Sequence, residues 1–304
     1  MAVRDITKGL RFPEGPVVLP DGDVLVVEVM GGALTRVKPD GSKTVVADLG
    51  GGPNGAAMGP DGRCYVCNSG GLGPAISEDV MVPSDAPLDT PPGSIQTVDV
   101  STGAFETVYA STDATPFWAP NDIVFDADGG FWFTDFGRNR ERVRTRGAVY
   151  YAKTDGSHIE EAIFGVETPN GIGLSPDGGT LYVADTFTSY LWAFPLKAPG
   201  QVDWSKGRPP MEGKILGRGK VGQFLDSLAV DSAGNICVAS CGGGAILVFS
   251  PEGGVSEEVV TSDLLTTNIA FGGPDLKTAF VTLSSSGRLV AMDWSVSGLK
   301  LNCC

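Results

Sequence analysis

The chain has 304 residues, with 22 Lys and Arg against 36 Asp and Glu, which gives a formal net charge of −14. This acidic balance excludes nucleic acids and anionic membranes as expected partners, because both bind clustered Lys and Arg. Residues 1–15 lack the apolar core of a secretion signal, and no apolar run approaches the roughly 18 residues of a membrane span, so we expect a cytoplasmic protein.

One sequence phrase recurs along the chain: a small polar pair, an apolar run, a tight turn and a second apolar run. It occupies residues 13–29, 53–69, 120–136, 169–186 and 225–240, and a weaker copy occupies 267–284. The Asp-Gly, Gly-Gly and Gly-Asn steps favour positive φ, so each copy predicts a hairpin. Further strand pairs follow, as at 32–48, 93–110, 147–163 and 244–260. This pattern predicts an all-β, six-bladed β-propeller with four-stranded antiparallel blades around a central channel.

The repeat also bears on domain organisation and ring closure. A repeat fold allows a single domain over residues 1–304, although this length would otherwise suggest two. Residues 4–12 precede the first hairpin and are predicted to add the outer strand of the sixth blade, which closes the ring. Two Pro-rich insertions, at about 72–92 and 197–214, are expected at a rim, where they either cover a site or form passive loops.

The start of each inner strand carries a side-chain oxygen. Equivalent positions of the innermost strands form a ring around a propeller channel, and here the six are Glu14, Asn54, Asn121, Asn170, Asp226 and Asn268. Carboxylate and amide oxygens without His or Cys suit Ca²⁺, Mg²⁺ or Mn²⁺, and two acids roughly neutralise one divalent ion. The alternative is that each Asn only makes an Asx turn at its strand start.

A second, less uniform ring follows at the end of the second strand of each copy. Its members are Glu28, Asn68, Asp135, Asp185, Ser240 and Leu283. Asp135 and Asp185 are expected nearest the metal-facing end. Two roles remain open for them: general base or modulator of the metal, or caps of turns and backbone amides.

The remaining reactive residues do not form another familiar site. The six cysteines show no zinc-binding spacing and are expected to be reduced, as is usual in the cytosol. His158 is the only histidine and lies in an exposed-looking turn. A Ser-His-Asp or Cys-His triad is therefore not expected.

Glu14-Gly-Pro, "APNDIVFD", "TPNGIGLSPDGGTLYVADT" and "FLDSLAVDSAGNICVAS" together resemble the gluconolactonase, senescence marker protein (regucalcin) and luciferin-regenerating enzyme family, in order along the whole chain. The resemblance implies a six-bladed propeller with one divalent ion in its channel. It implies Glu14, Asn170 and Asp226 as metal ligands and Asn121 beside the ion, in contact with the ion or the substrate. Ser227 adds an oxygen by resemblance to bacterial lactonase members.

The family resemblance implies hydrolysis of a lactone, a cyclic ester. A divalent ion polarises the carbonyl, stabilises the oxyanion and lowers the pKa of a bound water, and a carboxylate takes the proton. The resemblance makes Asp226 the candidate base, with Asp185 and Asp135 in reserve. Ca²⁺ is the expected ion, with Mg²⁺, Mn²⁺ and Zn²⁺ as alternatives.

The sequence departs from the sugar-lactone members at Ala119, where those members carry an Arg that helps to hold sugar hydroxyls. Phe117 and Trp118 precede it and either form an apolar wall at the channel mouth or pack between blades. We therefore expect a lactone less polar than a sugar lactone, with Asn54 and Asn121 also contacting it. The arginines of residues 138–146 either reach a substrate carboxylate or form a solvated loop.

Two other functions stay open at this level. The first is a propeller that binds calcium or a ligand without catalysis, and the second is a metal-dependent isomerase or lyase. The sequence leaves a monomer and a small homo-oligomer equally open.

Overall fold

The computed structural model describes residues 3–75, 80–87, 89–112, 115–140, 142–206 and 214–303. Its strands form six antiparallel sheets, each of which begins at an inner strand and ends at an outer one. The first blade consists of β2 (Pro13–Val18), β3 (Val24–Glu28), β4 (Ala33–Val37) and β5 (Lys43–Asp48). The second consists of β6 (Pro53–Met58), β7 (Cys64–Asn68), β8 (Ser94–Val98) and β9 (Phe105–Tyr109). The third consists of β10 (Pro120–Phe125), β11 (Gly130–Arg140), β12 (Val143–Lys153) and β13 (Ile159–Phe164).

The other three blades follow the same plan. The fourth consists of β14 (Pro169–Leu174), β15 (Thr180–Asp185), β16 (Tyr190–Ala198) and β18 (Lys214–Arg218), with the short β17 (Gln201–Val202) beside β16. The fifth consists of β19 (Phe224–Val230), β20 (Ile236–Cys241), β21 (Ala245–Phe249) and β22 (Val255–Val260). The sixth consists of β23 (Thr266–Gly272), β24 (Thr278–Leu283), β25 (Arg288–Asp293) and β1 (Val3–Lys8). A 3₁₀ turn spans Trp204–Lys206. Successive inner strands pack against one another around the ring, so the predicted six-bladed propeller is confirmed.

Ring closure follows the sequence prediction. β1 pairs with β25 from Val3 opposite Met292 to Lys8 opposite Arg288. The first strand of the chain therefore completes the sixth blade and covers an edge that would otherwise expose unpaired backbone groups.

The hairpin turns form where glycine allows the backbone to adopt positive φ. Gly22 and Gly62, in the turns of the first two copies, have φ values of 89° and 77°, a region that residues with a Cβ rarely adopt. Apolar side chains between these turns alternate between the two faces of each strand and fill six clusters between neighbouring blades. The blades are thus held together by buried apolar contacts on both faces.

No disulfide links any two of the described cysteines. Cys64, Cys67 and Cys237 are buried, and Cys241 and Cys303 are partly exposed. Cys304 lies outside the described residues. Among the described residues, no helix is long and apolar enough to cross a membrane.

The two insertions lie on opposite faces of the ring. Because neighbouring strands are antiparallel, inner strands begin and second strands end at one face, which we call the site face. The 72–92 insertion follows the second strand β7 and lies on the site face, where Met81 N–H donates to the Ser285 carbonyl of the sixth blade (3.1 Å). The 197–214 insertion follows the third strand β16 and lies on the opposite face. Residues 76–79, 88 and 207–213 of these insertions lie outside the described residues.

Candidate active site

A bulge interrupts the pairing near the start of every inner strand. In β10, for example, Pro120 faces Asp135 and Ile123 faces Phe133, so two residues of β10 lie opposite one of β11. Bulges of this kind re-aim side chains and are common next to functional sites. The two bulged residues are Asn121 and Asp122 in the third blade, Asn170 and Gly171 in the fourth, and Asp226 and Ser227 in the fifth.

The register corrects the alignment of the sixth blade. Thr266 faces Leu283 as Pro169 faces Asp185, so Thr267, not Asn268, occupies the position of Asn170. The Asn268 side chain instead donates from Nδ2 to Glu14 Oε2 (2.7 Å) and accepts from the Ile269 amide (2.8 Å). Asn268 therefore holds Glu14 in place from the next position along the strand.

Close approach of the inner strands explains the Asn-Gly pairs of the repeat. A Cβ at Gly171 would lie 2.5 Å from the Asp226 carbonyl oxygen, and one at Gly15 would lie 2.7 Å from that of Asn54. These contacts are shorter than real Cβ atoms tolerate. The glycine after Asn170 therefore lets neighbouring inner strands converge, and this convergence brings their preceding side chains together.

Within the described part of the chain, three buried oxygens at this place have no hydrogen-bond partner: Oδ1 of Asn121, Oδ1 of Asn170 and Oγ of Ser227. The Asn170 amide is oriented by its Nδ2, which donates to Thr186 Oγ1 (3.1 Å). Buried polar atoms are usually paired, and an unpaired one costs about 1–3 kcal/mol. The Asx-turn alternative is therefore wrong for Asn121 and Asn170, because their oxygens accept no amide from the backbone that the structure describes.

Three acids share the channel. Burial and the nearby Asp226 raise the pKa of Glu14 well above its usual value. Part of the Asp226 surface remains accessible in the channel, yet the surrounding protein raises the pKa of Asp226 to about 6. Burial also raises the pKa of Asp122 to about 7, with Asp226 adding to the shift. Asp226 therefore disfavours ionisation of both Glu14 and Asp122.

Asp122 bridges two blades. Its Oδ1 accepts from the Ile123 amide (2.9 Å) and its Oδ2 from the Ile172 amide of the next inner strand (3.3 Å). It therefore caps backbone amides, as its place beside Asn121 suggests. Its electrostatic contact with Asp226 was not predicted, and the Asn-Asp pair was the only signal for it in the sequence.

These residues fit a hard divalent cation. Glu14 and Asp226 supply two negative charges, and the unpaired oxygens of Asn170, Asn121 and Ser227 supply neutral ligands of the kind that such ions accept. Among the described residues, no three His, Cys, Asp or Glu side chains form a metal-binding group. A metal held here must therefore use amide or hydroxyl oxygens as well as carboxylates.

Asp135 and Asp185 are structural clamps. Asp135 accepts from the amides of Trp118 (2.7 Å), Ala119 (2.8 Å) and Gly137 (2.9 Å). Asp185 accepts from the amides of Glu167 (3.1 Å) and Thr168 (3.0 Å) and from Thr168 Oγ1 (2.6 Å). Each fixes the segment that leads into its inner strand, and Asn68 does the same through the Gly52 amide. The structure thus contradicts their role as reserve bases.

Replacing the clamp tests this assignment. We expect Asp185→Asn to lower the free energy of unfolding by about 1–3 kcal/mol, because an amide group cannot accept all three bonds. Lactone turnover should stay within a few-fold of the wild type. Urea denaturation and steady-state rates measure the two quantities, and a large loss of turnover without loss of stability would restore a catalytic role.

The predicted substrate contacts divide in two. Phe117 is fully buried, and its ring packs against Phe133 and Tyr150 with both centroid distances at 5.3 Å. The prediction that Phe117 lines the channel mouth is therefore wrong, because it belongs to the core between blades. Trp118 and Asn54 are half-buried, and both remain candidates.

The arginine-rich hairpin is ordered by specific contacts. Arg138 is buried and donates to the carbonyls of Ser69 (2.8 Å), Thr90 (2.9 Å) and Trp118 (2.6 Å), so it pins both ends of the 72–92 insertion. Arg146 pairs with Glu167 (3.5 Å). The side chain of Arg140 lies outside the described part of the chain. The solvated-loop interpretation is therefore wrong for Arg138.

Known proteins resemble this chain over most of its length. A family model described as SMP-30/Gluconolactonase/LRE-like region matches residues 12–285. Lactonase drp35 of Staphylococcus haemolyticus is 29% identical over 81% of this chain and 68% of its own length. A 6-deoxy-6-sulfogluconolactonase of Pseudomonas putida is 33% identical over 59% of each chain, so the match spans less than two thirds of that relative. The calcium-binding protein regucalcin of Agrobacterium tumefaciens, 21% identical over 96% of each chain with a TM-score of 0.72, shows the same fold.

Proposed function

The chain belongs to the SMP-30/gluconolactonase/LRE-like family, and from that premise we propose that it is a divalent-metal-dependent hydrolase that opens a lactone less polar than a sugar lactone. The lactonase relatives support an enzyme that hydrolyses lactones. The observation that carries the proposal is the group of Glu14 and Asp226 beside the unpaired oxygens of Asn121 and Asn170. We propose Ca²⁺ as the ion, in keeping with the calcium-binding relative.

Glu14, Asn170 and Asp226 would hold the ion, and Asn121 and Ser227 stand beside them. When bound, a divalent ion polarises the lactone carbonyl and stabilises the charge that develops on its oxygen. The Asn268 amide and the Gly15 amide orient Glu14 Oε2 at 2.7 and 2.8 Å. This second layer keeps the carboxylate turned toward the site.

Asp226 moves the proton. A water attacks the carbonyl carbon while a carboxylate oxygen of Asp226 takes its proton, and the ring C–O bond then breaks. The leaving alkoxide takes the proton back, so the product is an open hydroxy acid. A base must be ionised to take a proton, and with a pKa of about 6 most of the Asp226 carboxylate is ionised at pH 7 even without a cation. The Cys241 thiol donates to Asp226 Oδ2 (2.7 Å), which orients the carboxylate.

The substrate preference rests on the channel mouth. Ala119 presents only a methyl group at the position where a hydroxyl-binding Arg would hold a sugar. Trp118 beside it is half-buried, with its backbone fixed by Asp135 and Arg138. An apolar surface held this rigidly favours a lactone with few hydroxyl groups.

A lactone panel tests the proposed function. We expect the purified protein to open dihydrocoumarin faster than gluconolactone, to lose activity with a chelator and to regain it with Ca²⁺. A titration assay of released acid measures the rates, and a protein treated with buffer alone is the control. Full metal occupancy with no lactone opened would instead favour a propeller that binds calcium without catalysis, or one that performs isomerase or lyase chemistry.

A further inference from the structure

Three phenylalanines from neighbouring blades meet on the site face. Phe136 follows Asp135 in β11, Phe187 lies just beyond the end of β15, and Phe224 precedes Asp226 by two residues in β19. The ring centroids of Phe136 and Phe187 are 5.7 Å apart and those of Phe187 and Phe224 are 6.4 Å apart, both edge to face. We call these three residues the aromatic wall.

The wall is exposed, unlike the rings of the core. Phe187 is 48% exposed and Phe224 is 40% exposed, whereas Phe131 and Phe133 are fully buried. Exposed aromatic rings that adjoin a concave polar site are typical of the apolar part of a ligand pocket. Phe224 lies two residues before Asp226 in β19, so the wall borders the strand that carries the acid.

Arg144 holds the wall in place. Its guanidinium carbon lies 4.7 Å from the ring centroid of Phe187 and 5.8 Å from that of Phe136. Its Nε and Nη2 atoms are buried and have no hydrogen-bond partner among the residues that the structure describes, so the stacking on the rings fixes the group. Stacking on one face of Phe187 limits rotation of the ring and leaves the exposed remainder for a ligand.

The charge and the apolar faces together select the occupant. A cation is disfavoured, because Arg144 already places a positive charge on the rings. A sugar ring gains less than an aryl ring here, because the three phenyl rings offer its hydroxyls no hydrogen-bond partner. A planar aromatic ring loses little on leaving water and stacks or packs edge to face on Phe187 and Phe224.

We propose that the aromatic wall binds an aromatic ring that the lactone carries, so that the substrate class is an aryl-fused or aryl-bearing lactone. This inference rests on the proposed function, since the wall orients a substrate whose ester lies at Asp226. Phe187 and Phe224 contact the ring, and Arg144 is a positioning residue that acts through Phe187.

The test compares two six-membered lactones that differ in the aromatic ring, dihydrocoumarin and δ-valerolactone. We expect Phe187→Ala to lower the ratio of their kcat/KM values by about tenfold, mainly through a higher KM for dihydrocoumarin, because an aromatic pair contributes about this factor. Arg144→Ala should lower the same ratio by about threefold, because Phe187 loses the group that limits its rotation. A lost ring orientation moves this ratio, whereas a merely structural role would lower both rates together.

The chain offers a matched control. Arg146 lies over Phe164 with its guanidinium carbon 5.0 Å from the ring centroid, and Phe164 is 51% exposed on the outer strand β13. Phe164→Ala and Arg146→Ala should therefore leave the ratio unchanged. Thermal melts of all four variants check that each is folded.

The possible outcomes distinguish a failure of the aromatic-wall inference from a failure of the proposed lactonase function. If the wild type opens both lactones and Phe187→Ala leaves the ratio unchanged, the wall is overturned while the proposed function stands. If the wild type opens neither, the proposed function fails, and calorimetry of the open hydroxy acids decides the inference. In that experiment, tighter binding of 3-(2-hydroxyphenyl)propanoate than of 5-hydroxyvalerate, lost in Phe187→Ala, supports the wall, and equal binding overturns it.

Discussion

Asp226→Asn is expected to lower kcat for lactone opening by about a thousandfold, because a general base contributes roughly 10²–10⁴ in rate. The amide keeps the shape of the carboxylate and one oxygen for a metal, but it cannot take a proton from water. The variant should fold, since the backbone hydrogen bond to this side chain comes from the neighbouring Ser227, whereas Asp185 accepts two amides from a separate segment.

Two measurements on Asp226→Asn decide between a role as general base and a role in metal binding. Steady-state rates on dihydrocoumarin report turnover, and metal analysis of the purified variant reports occupancy. Retained metal with lost turnover supports Asp226 as the base, whereas loss of both assigns it to metal binding alone. Unchanged turnover would falsify the base role. Asp185→Asn is the matched control, because it makes the same chemical change at an acid that only clamps backbone.

The second large effect is on stability. We expect the chelated protein to lose about 2–4 kcal/mol of unfolding free energy between pH 5 and pH 8, since one unit of pKa shift corresponds to 1.36 kcal/mol. Added Ca²⁺ should remove most of this loss, because a cation in the site favours the ionised acids.

The sign follows from the direction of the shifts. The pKa of Asp122 is raised to about 7 and that of Asp226 to about 6, from 3.8 for each ordinary side chain. Between about pH 4 and pH 7 the folded protein therefore binds more protons than the unfolded chain. Stability is fullest at the acidic end of this window and falls as pH rises through the folded pKa values.

Urea denaturation at pH 5, 6, 7 and 8, with chelator or with Ca²⁺, measures this dependence. Asp122→Asn should flatten the slope of the chelated protein, because the amide does not ionise. Asp155→Asn is a suitable control, since Asp155 lies in an exposed turn and its pKa is lowered by Ser157. A chelated protein whose stability rises across this window would contradict the raised pKa values.

Much of the candidate site could be predicted from the repeat. Glu14, Asn121, Asn170 and Asp226 follow the same local phrase, so aligning the copies identifies equivalent positions of equivalent strands. The sixth copy shows where this fails. Its bulge lies between Thr266 and Asn268. The position equivalent to Asn170 is therefore held by Thr267, one residue before the Asn268 that the sequence alignment predicted. The position of a bulge depends on how the two strands pair. The sixth copy shares too few residues with the other five for its bulge to be located from the sequence.

The sequence also does not predict which way an individual side chain points. Phe117 and Trp118 are adjacent and both aromatic, yet Phe117 fills the core and Trp118 stays half-exposed. The segment that holds them is fixed by Asp135, an acid seventeen residues beyond Trp118. Whether such an acid clamps backbone or moves protons depends on how many amides surround it, which only the folded loop decides.

The sequence by itself determined the strands, the turns, the six repeats and the oxygen-bearing ring, because strand alternation and glycine turns are local and recur in each copy. Only the tertiary structure decided what meets across blades. Asp122 contacts the next inner strand, and Phe136, Phe187 and Phe224 meet although they lie about 40 to 50 residues apart along the chain. These contacts depend on closing the ring, which brings distant strand ends to one face, and no local pattern encodes that approach.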